Sequence, residues 1–165
     1  MKEISFRSLR MEDADMLLGW RNDPVTLANS INKKKVNREE HLKWLKGMLE
    51  SVSNNLLLIA EWDGKPVGSF RLDTFRVKGG AVSPDMRLVS YVVAPEYRRK
   101  GLGMAIVNEG CTSYGQEYGL IAKIRTDNVA SKKILEACDF ECLGEVEPGI
   151  VAYARANTNG PPTLQ

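Results

Sequence analysis

Apolar residues at Ile4, Phe6 and Leu9 suggest a first strand, after which the spacing of apolar positions becomes helical. Ala14, Leu17, Leu18 and Arg21 share one face, predicting a helix over about residues 12–21 that buries a narrow stripe. Glu12, Asp13 and Asp15 in its first turn suit the positive end of the helix dipole. Asn22-Asp23-Pro24 is expected to stop it. A second helix should start after Asn37, because Asn37 and Glu40 have capping-box spacing. Leu42, Leu45, Leu49 and Val52 give its apolar face, and Ser53-Asn54-Asn55 ends it.

Residues 56–62 form a short apolar run, and Asp63-Gly64 is a hairpin signal before a strand over 65–75. Gly79-Gly80 and Ser83-Pro84 mark a loop, and 86–93 reads as the next strand. A helix follows over about 101–118, with Met104, Val107, Cys111, Tyr114 and Tyr118 near one stripe and Gly119 at its end. Residues 120–126 alternate like a strand, and Asp127 or Asn128 caps a short helix reaching Cys138. Two closing strands, 140–146 and 150–156, flank Glu147-Pro148-Gly149. The order predicts one mixed α/β domain over 1–156, followed by a polar tail, 157–165, expected to be mobile.

Composition adds limits. A chain of 165 residues, 43% hydrophobic, holds one well-buried core and is short for two ordinary domains. A net charge of +2 sets up no global field for nucleic acid. Residues 1–12 are too charged for a signal peptide, and no apolar run approaches the roughly 18 residues of a membrane span. Cys111, Cys138 and Cys142 are an odd set without metal-ligand spacing, which suggests reduced thiols, no metal site and a cytoplasmic protein. A nucleophilic cysteine assisted by the single His41 is a weaker reading of the same residues.

The richest stretch is Val92-Val93-Ala94-Pro95-Glu96-Tyr97-Arg98-Arg99-Lys100-Gly101-Leu102-Gly103-Met104-Ala105. A strand ends at a proline, three cations and two glycines follow, and a helix begins. Unpaired N–H groups at a helix start hold anions. Gly101 and Gly103 lack the Cβ atoms that would keep phosphate oxygens from the main chain, and Arg98, Arg99 and Lys100 supply countercharge. A solvated charge run is the bland alternative.

Two motifs and the order of elements resemble the GNAT superfamily of acetyl-CoA-dependent N-acetyltransferases. One is Arg98-Arg99-Lys100-Gly101-Leu102-Gly103, similar to Arg/Gln-x-x-Gly-x-Gly/Ala; the other is 128–140, similar to Asn-x-x-Ser…Gly-Phe. The resemblance spans about residues 3–156 and implies a single domain with a mostly antiparallel, twisted sheet of about seven strands flanked by four helices. It implies that main-chain amides from Arg98 to Met104 bind the pyrophosphate of coenzyme A. The pantetheine arm would run along Tyr91-Val92-Val93, with Asn128 and Ser131 touching the cofactor. Asn128 is equally a plain N-cap, and Ser131 equally a surface helix residue. An amine would attack the thioester directly, with a backbone N–H near Val92 or Val93 stabilising the oxyanion.

Two departures from the resemblance concern protons. Leu135 stands where many relatives carry an acid tyrosine, and no carboxylate lies near Leu88, where a base glutamate often sits. Candidates for the acid are Tyr91, Tyr114, Tyr118 and solvent; Ser90, on the face shared with Leu88, is a candidate to order water as base. Asp139 also replaces the family glycine before Phe140, altering a helix-end turn.

The first third of the chain is similar to N-acetyltransferases acting on amino-sugar nucleotides, of the pseudaminic-acid pathway type. Arg21 would pair with a phosphate, Trp44 would stack on a base or sugar, and His41 would line the acceptor site. Each has a bland alternative: a helix-terminal charge, a core residue and a capped histidine. The same features recur in ribosomal-protein and aminoglycoside acetyltransferases, and a non-catalytic acyl-CoA sensor is the reading from another class. The expected partner is a small-molecule amine. The sequence does not decide the oligomeric state, with which a homodimer is compatible.

Overall fold

The computed structural model describes residues 2–50 and 55–158. The expected helix residue Val52, its terminator Ser53-Asn54 and the tail beyond Thr158 lie outside the described residues. Seven strands form one sheet: β1 (Ser5–Ser8), β2 (Leu56–Trp62), β3 (Lys65–Arg76), β4 (Val82–Val93), β5 (Gly119–Arg125), β6 (Glu141–Glu147) and β7 (Ile150–Arg155). Their order is β1-β2-β3-β4-β5-β7-β6. Every neighbouring pair is antiparallel except β4 and β5, which run parallel and pair over Met86–Leu88 only. A parallel neighbour needs a crossover, supplied here by α4 (Leu102–Tyr114). Strand alternation sends Phe70, Leu72, Val89 and Tyr91 to one face, packed with α4 and α5 (Val129–Ala137). It sends Leu57, Ile59 and Val92 to the other, under α1 (Ala14–Asn22) and α3 (Arg38–Glu50).

Five α-helices occur among the described residues, one more than the pattern predicts. Asn22-Asp23-Pro24 ends α1 but also starts α2 (Pro24–Asn29). The Asp23 carboxylate accepts from the Val25 and Thr26 amides, at 3.1 Å each, and Pro24 needs no donor in the first turn. Helix α3 begins as expected, with Asn37 accepting from the Glu40 amide at 2.8 Å. Its buried stripe, however, runs through His41 and Leu45, while Leu49 is exposed. His41 tolerates burial because its Nε2 bonds the Ala14 carbonyl at 2.9 Å.

Two boundaries move for steric reasons. Helix α4 stops at Gly115 rather than Gly119, a place where an added Cβ would lie 3.0 Å from both the Cys111 oxygen and Leu120. Tyr114 is consequently exposed, and Tyr118 sits outside the helix beneath the Arg87 guanidinium. Strand β4 starts at Val82, through the expected loop residues Ser83-Pro84. The register jumps there from Thr74↔Arg87 to Phe75↔Ser83, and Pro84 lies inside that irregularity, where no ladder donor is needed.

Helix α4 lies close to the sheet because Gly110 faces Phe70, whose ring would be 2.5 Å from an added Cβ. Alanine at an interior helix position gains about 1 kcal/mol over glycine in propensity. Phe70 is fully buried, so the ring has nowhere to move, and overpacking of this kind costs about 1–3 kcal/mol. Gly110→Ala is therefore expected to lower stability in urea unfolding; an unchanged or raised midpoint would show that the ring relocates freely.

Candidate functional site

The site begins where β4 and β5 part. Beyond Leu88 the β5 side of β4 has no strand partner. The Ala94 amide bonds the Val67 carbonyl on β3 at 2.8 Å, and Val92 faces Ser69 in register. Main-chain direction alternates along a strand, so Val92, two residues before Ala94, also spends its main chain on β3. The main-chain groups of Tyr91 and Val93 are left facing the gap. The register turns the Val92 amide, one of the two donors expected from the sequence, toward β3, and leaves the amides of Val93 and Tyr91 on the gap side.

At the end of that gap the chain turns through residues 98–104. Arg99 and Gly101 have left-handed φ angles of 60° and 76°, which curl successive amides into a concave run. Gly101 provides no side-chain cap for α4, so the first amides of the helix have no side-chain partner. An added Cβ at Gly101 would meet nothing within 4 Å, leaving open space over those amides. These observations fit a phosphate-bearing group. Gly103 serves a different purpose from the one expected: its Cβ would lie 2.8 Å from Ile134 and 3.4 Å from Val93, so glycine there permits packing of α4 on α5 and β4.

The three cations separate. The Arg98 guanidinium Nη2 donates to Asp23 Oδ2 at 2.6 Å and to Thr26 Oγ1 at 2.8 Å, so it does not supply free countercharge. Burial alone would raise the Asp23 carboxyl, but the Arg98 bond and the Thr26 and Val25 amides outweigh it and hold it below the usual carboxylate range. Arg99 and Lys100 are exposed and form no ion pair among the described residues; the Lys100 ammonium lies 5.4 Å from the Tyr97 ring centre.

Tyr91 and Ser131, predicted separately, come together: the phenol and hydroxyl oxygens are 2.7 Å apart. Burial pushes the phenol up, partly offset by that bond. Leu135, one turn further along α5, is fully buried in the core. Asn128 accepts from the Ser131 amide at 3.2 Å, which is the plain N-cap reading. Asp139 adopts a left-handed φ of 66° at the end of α5, holding the turn that the family glycine would make.

On the opposite face a cavity of about 540 Å³ lies between the sheet and α1–α3, lined by Trp20, Arg21, Thr26, Glu40, His41, Trp44, Arg71 and Ser90 among others. Arg21 donates from Nη2 to the Asn32 carbonyl at 2.9 Å, while its buried Nη1 has no partner among the described residues. Trp44 lies between the His41 ring, 5.5 Å away, and the Arg71 guanidinium, 5.3 Å away. Ser90 is exposed on the floor, directly across from Arg71. Arg71 holds Asp73 at 2.8 Å, and Asp73 stands opposite Leu88. A carboxylate thus faces the position where none occurs on β4 itself. Sequence reasoning missed it because it arrives through strand register.

None of the three cysteines lines the cavity that His41 lines. Cys111 and Cys138 are buried and Cys142 is exposed on β6; burial pushes the Cys111 thiol up to about 12. A thiol held protonated is a poor nucleophile, and the His41 Nε2 is committed to Ala14, so the cysteine–histidine reading falls.

A half-open strand thus leads into an open helix start, and a cavity lies across the sheet from it. The chain belongs to the acetyltransferase (GNAT) family, whose model matches residues 18–140. Similar solved structures include AAC(6')-Ib in complex with ribostamycin and coenzyme A, at 18% identity over 92% of each chain, with a TM-score of 0.77. Another is RimL, the ribosomal L7/L12 α-N-protein acetyltransferase, in complex with coenzyme A (15% identity, 95% of this chain and 96% of that one, TM-score 0.74). A third is yncA of Salmonella typhimurium with acetyl-CoA (18% identity, 99% and 98%, TM-score 0.73). No protein of curated function matches the sequence.

Gly101→Asn tests the phosphate cradle with little backbone strain, since asparagine tolerates the left-handed conformation. It is expected to weaken coenzyme A binding about tenfold in calorimetry, about 1.4 kcal/mol. Unchanged affinity would remove the 98–104 turn from the cofactor site.

Proposed function

We propose that this protein transfers the acetyl group of acetyl-CoA to the primary amine of an anionic acceptor, an amino-sugar nucleotide being the class that fits best. The single observation carrying the acceptor is Arg21, which lines the cavity between α1–α3 and the sheet and whose Nη1 has no partner among the described residues. A buried donor without an acceptor costs about 1–3 kcal/mol, so a phosphate or carboxylate oxygen of the substrate is its natural partner. Trp44, 36% exposed beside Arg71, offers a flat face for a base or sugar. The lining holds the carboxylate Glu40 and two guanidinium groups, Arg71 paired with Asp73 and Arg21 with no ion pair among the described residues, which favours an anionic acceptor over a polycationic aminoglycoside. Walls from three helices likewise disfavour the open groove that an extended peptide needs. Three thiols without a disulfide suit a reducing cytoplasm. No helix among the described residues is long and apolar enough to cross a membrane.

Acetyl-CoA supplies the activated thioester. The curled amides of 98–104, with Arg99 and Lys100, hold its pyrophosphate, and the free main-chain edge at Tyr91 and Val93 aligns its pantetheine arm. One N–H on that edge, at Tyr91 or Val93, is the donor that stabilises negative charge on the carbonyl oxygen, because strand donors two residues apart are too widely spaced for one oxygen to accept from both. On the other face, water ordered by Ser90 passes the amine's proton to the Asp73 carboxylate, which Arg71 holds in place, leaving the nitrogen free to attack. Tyr91 is the acid for the leaving thiolate: its raised phenol stays protonated at neutral pH, oriented by Ser131 one turn before the missing helix tyrosine. Asn128 and Ser131 fix the start of α5 around that phenol.

Thiol release from acetyl-CoA should occur with amino-sugar nucleotides and be weaker or absent with aminoglycosides and short peptides. Release with the other classes alone would overturn the acceptor assignment; tight acetyl-CoA binding without release for any amine would favour a sensor. Tyr91→Phe is expected to lower kcat about 100-fold with coenzyme A affinity nearly unchanged. Full turnover in that variant would assign the acid to solvent.

A further inference from the structure

Helix α2 is the least supported wall of the acceptor cavity. It has six residues, far below the length at which a helix holds itself, and Leu27 is the one residue it buries. Thr26 and Ser30 from this segment line the cavity. The following loop is tied to α1 by Asn22, which bonds Val36 through both its amide nitrogen and its oxygen, at 2.7 and 2.9 Å. The start of α2 is tied differently. A single oxygen, Asp23 Oδ2, accepts from the Val25 and Thr26 amides and from the Arg98 guanidinium. The same Arg98 nitrogen also donates to the Thr26 hydroxyl. Arg98 lies 75 residues from Asp23 in the chain and belongs to the turn read above as the cofactor cradle. Both side chains are shielded, 28% and 17% exposed, where charge-assisted bonds are stronger than at an open surface.

We infer that Arg98 is a positioning residue for the acceptor cavity: from inside the cofactor turn it holds α2 in place, coupling the two substrate sites through one ion pair. The inference rests on reading 98–104 as the coenzyme A site. A ligand that orders this turn restricts Arg98, and Arg98 in turn restricts the first turn of α2. Cofactor binding then firms the wall against which the acceptor is held. The coupling is reciprocal, so an acceptor packed against Thr26 tightens cofactor binding by the same factor.

Asp23→Asn isolates the tether, because asparagine caps a helix as well as aspartate does while losing the charge. The test is amide hydrogen exchange over 25–30 in the wild type, Asp23→Asn, Arg98→Met and the double variant, with and without coenzyme A. Without ligand, each single variant is expected to exchange about tenfold faster than the wild type, and the double variant no faster than either. Coenzyme A should slow exchange over 25–30 in the wild type and have no effect there in the variants, although Arg98→Met binds it within about threefold of wild-type affinity. Equal ligand-free exchange in the wild type and Asp23→Asn overturns the inference, and so does protection of α2 that survives in the variants. A larger loss of affinity in Arg98→Met also overturns it, making the guanidinium a phosphate ligand. If the wild type fails to bind coenzyme A, the cofactor reading falls, and the ligand-free comparison still decides the tether. Asp23→Asn decides alone if Arg98→Met does not fold.

Discussion

Strand β4 pairs with β3 along its length and with β5 only at Met86–Leu88. That half-finished pairing organises the rest of the molecule. A parallel neighbour requires a crossover, and the crossover here contains α4, so the strand end that carries free main-chain groups leads directly into a helix start that carries free amides. One stretch of chain therefore offers donors at its strand edge and at its helix terminus. Gly103 and Gly110 bring α4 down against Ile134 and Phe70, and the gap is framed by packed core rather than by loops.

The pleat of β4 then distributes chemistry to two faces. Tyr91 falls on the side of α4 and α5 and meets Ser131. Ser90 and Val92 fall on the side of α1 and α3, where Arg71 and Asp73 join them from β3. In the proposed reaction the thiolate and the amine would be served by adjacent residues on opposite faces, so the two proton transfers would not compete. Leu135 is compatible with this arrangement because the phenol reaches α5 from the strand instead of from the helix.

Local features were legible in the chain. The Asn37 cap depends on contacts within three residues, and the turn at Asp63-Gly64 on two left-handed angles of 54° and 74°. The strand, proline, cations, glycines and helix of 92–105 also follow one another as the residues dictate. Asn22-Asp23-Pro24 ends α1 as the residues predict, and α2 escapes notice because the same side-chain chemistry that ends one helix begins another. The α3 stripe keeps Leu42 and Leu45 and leaves Leu49 exposed, and His41 joins it unforeseen because a histidine looks polar until the Ala14 carbonyl satisfies it.

The amino-acid sequence by itself determined the order of the strands and of the four longer helices, the open turn before α4 and the resemblance that these carry, since propensities, caps and glycine conformations act over a few residues. Only the tertiary structure decided that Arg98 belongs to Asp23, that Tyr91 belongs to Ser131, and that Val92 is spent while Tyr91 and Val93 are free. Those pairings join residues far apart in the chain. They are set by strand register and by the approach of helices to the sheet, and both depend on the packing of the whole core.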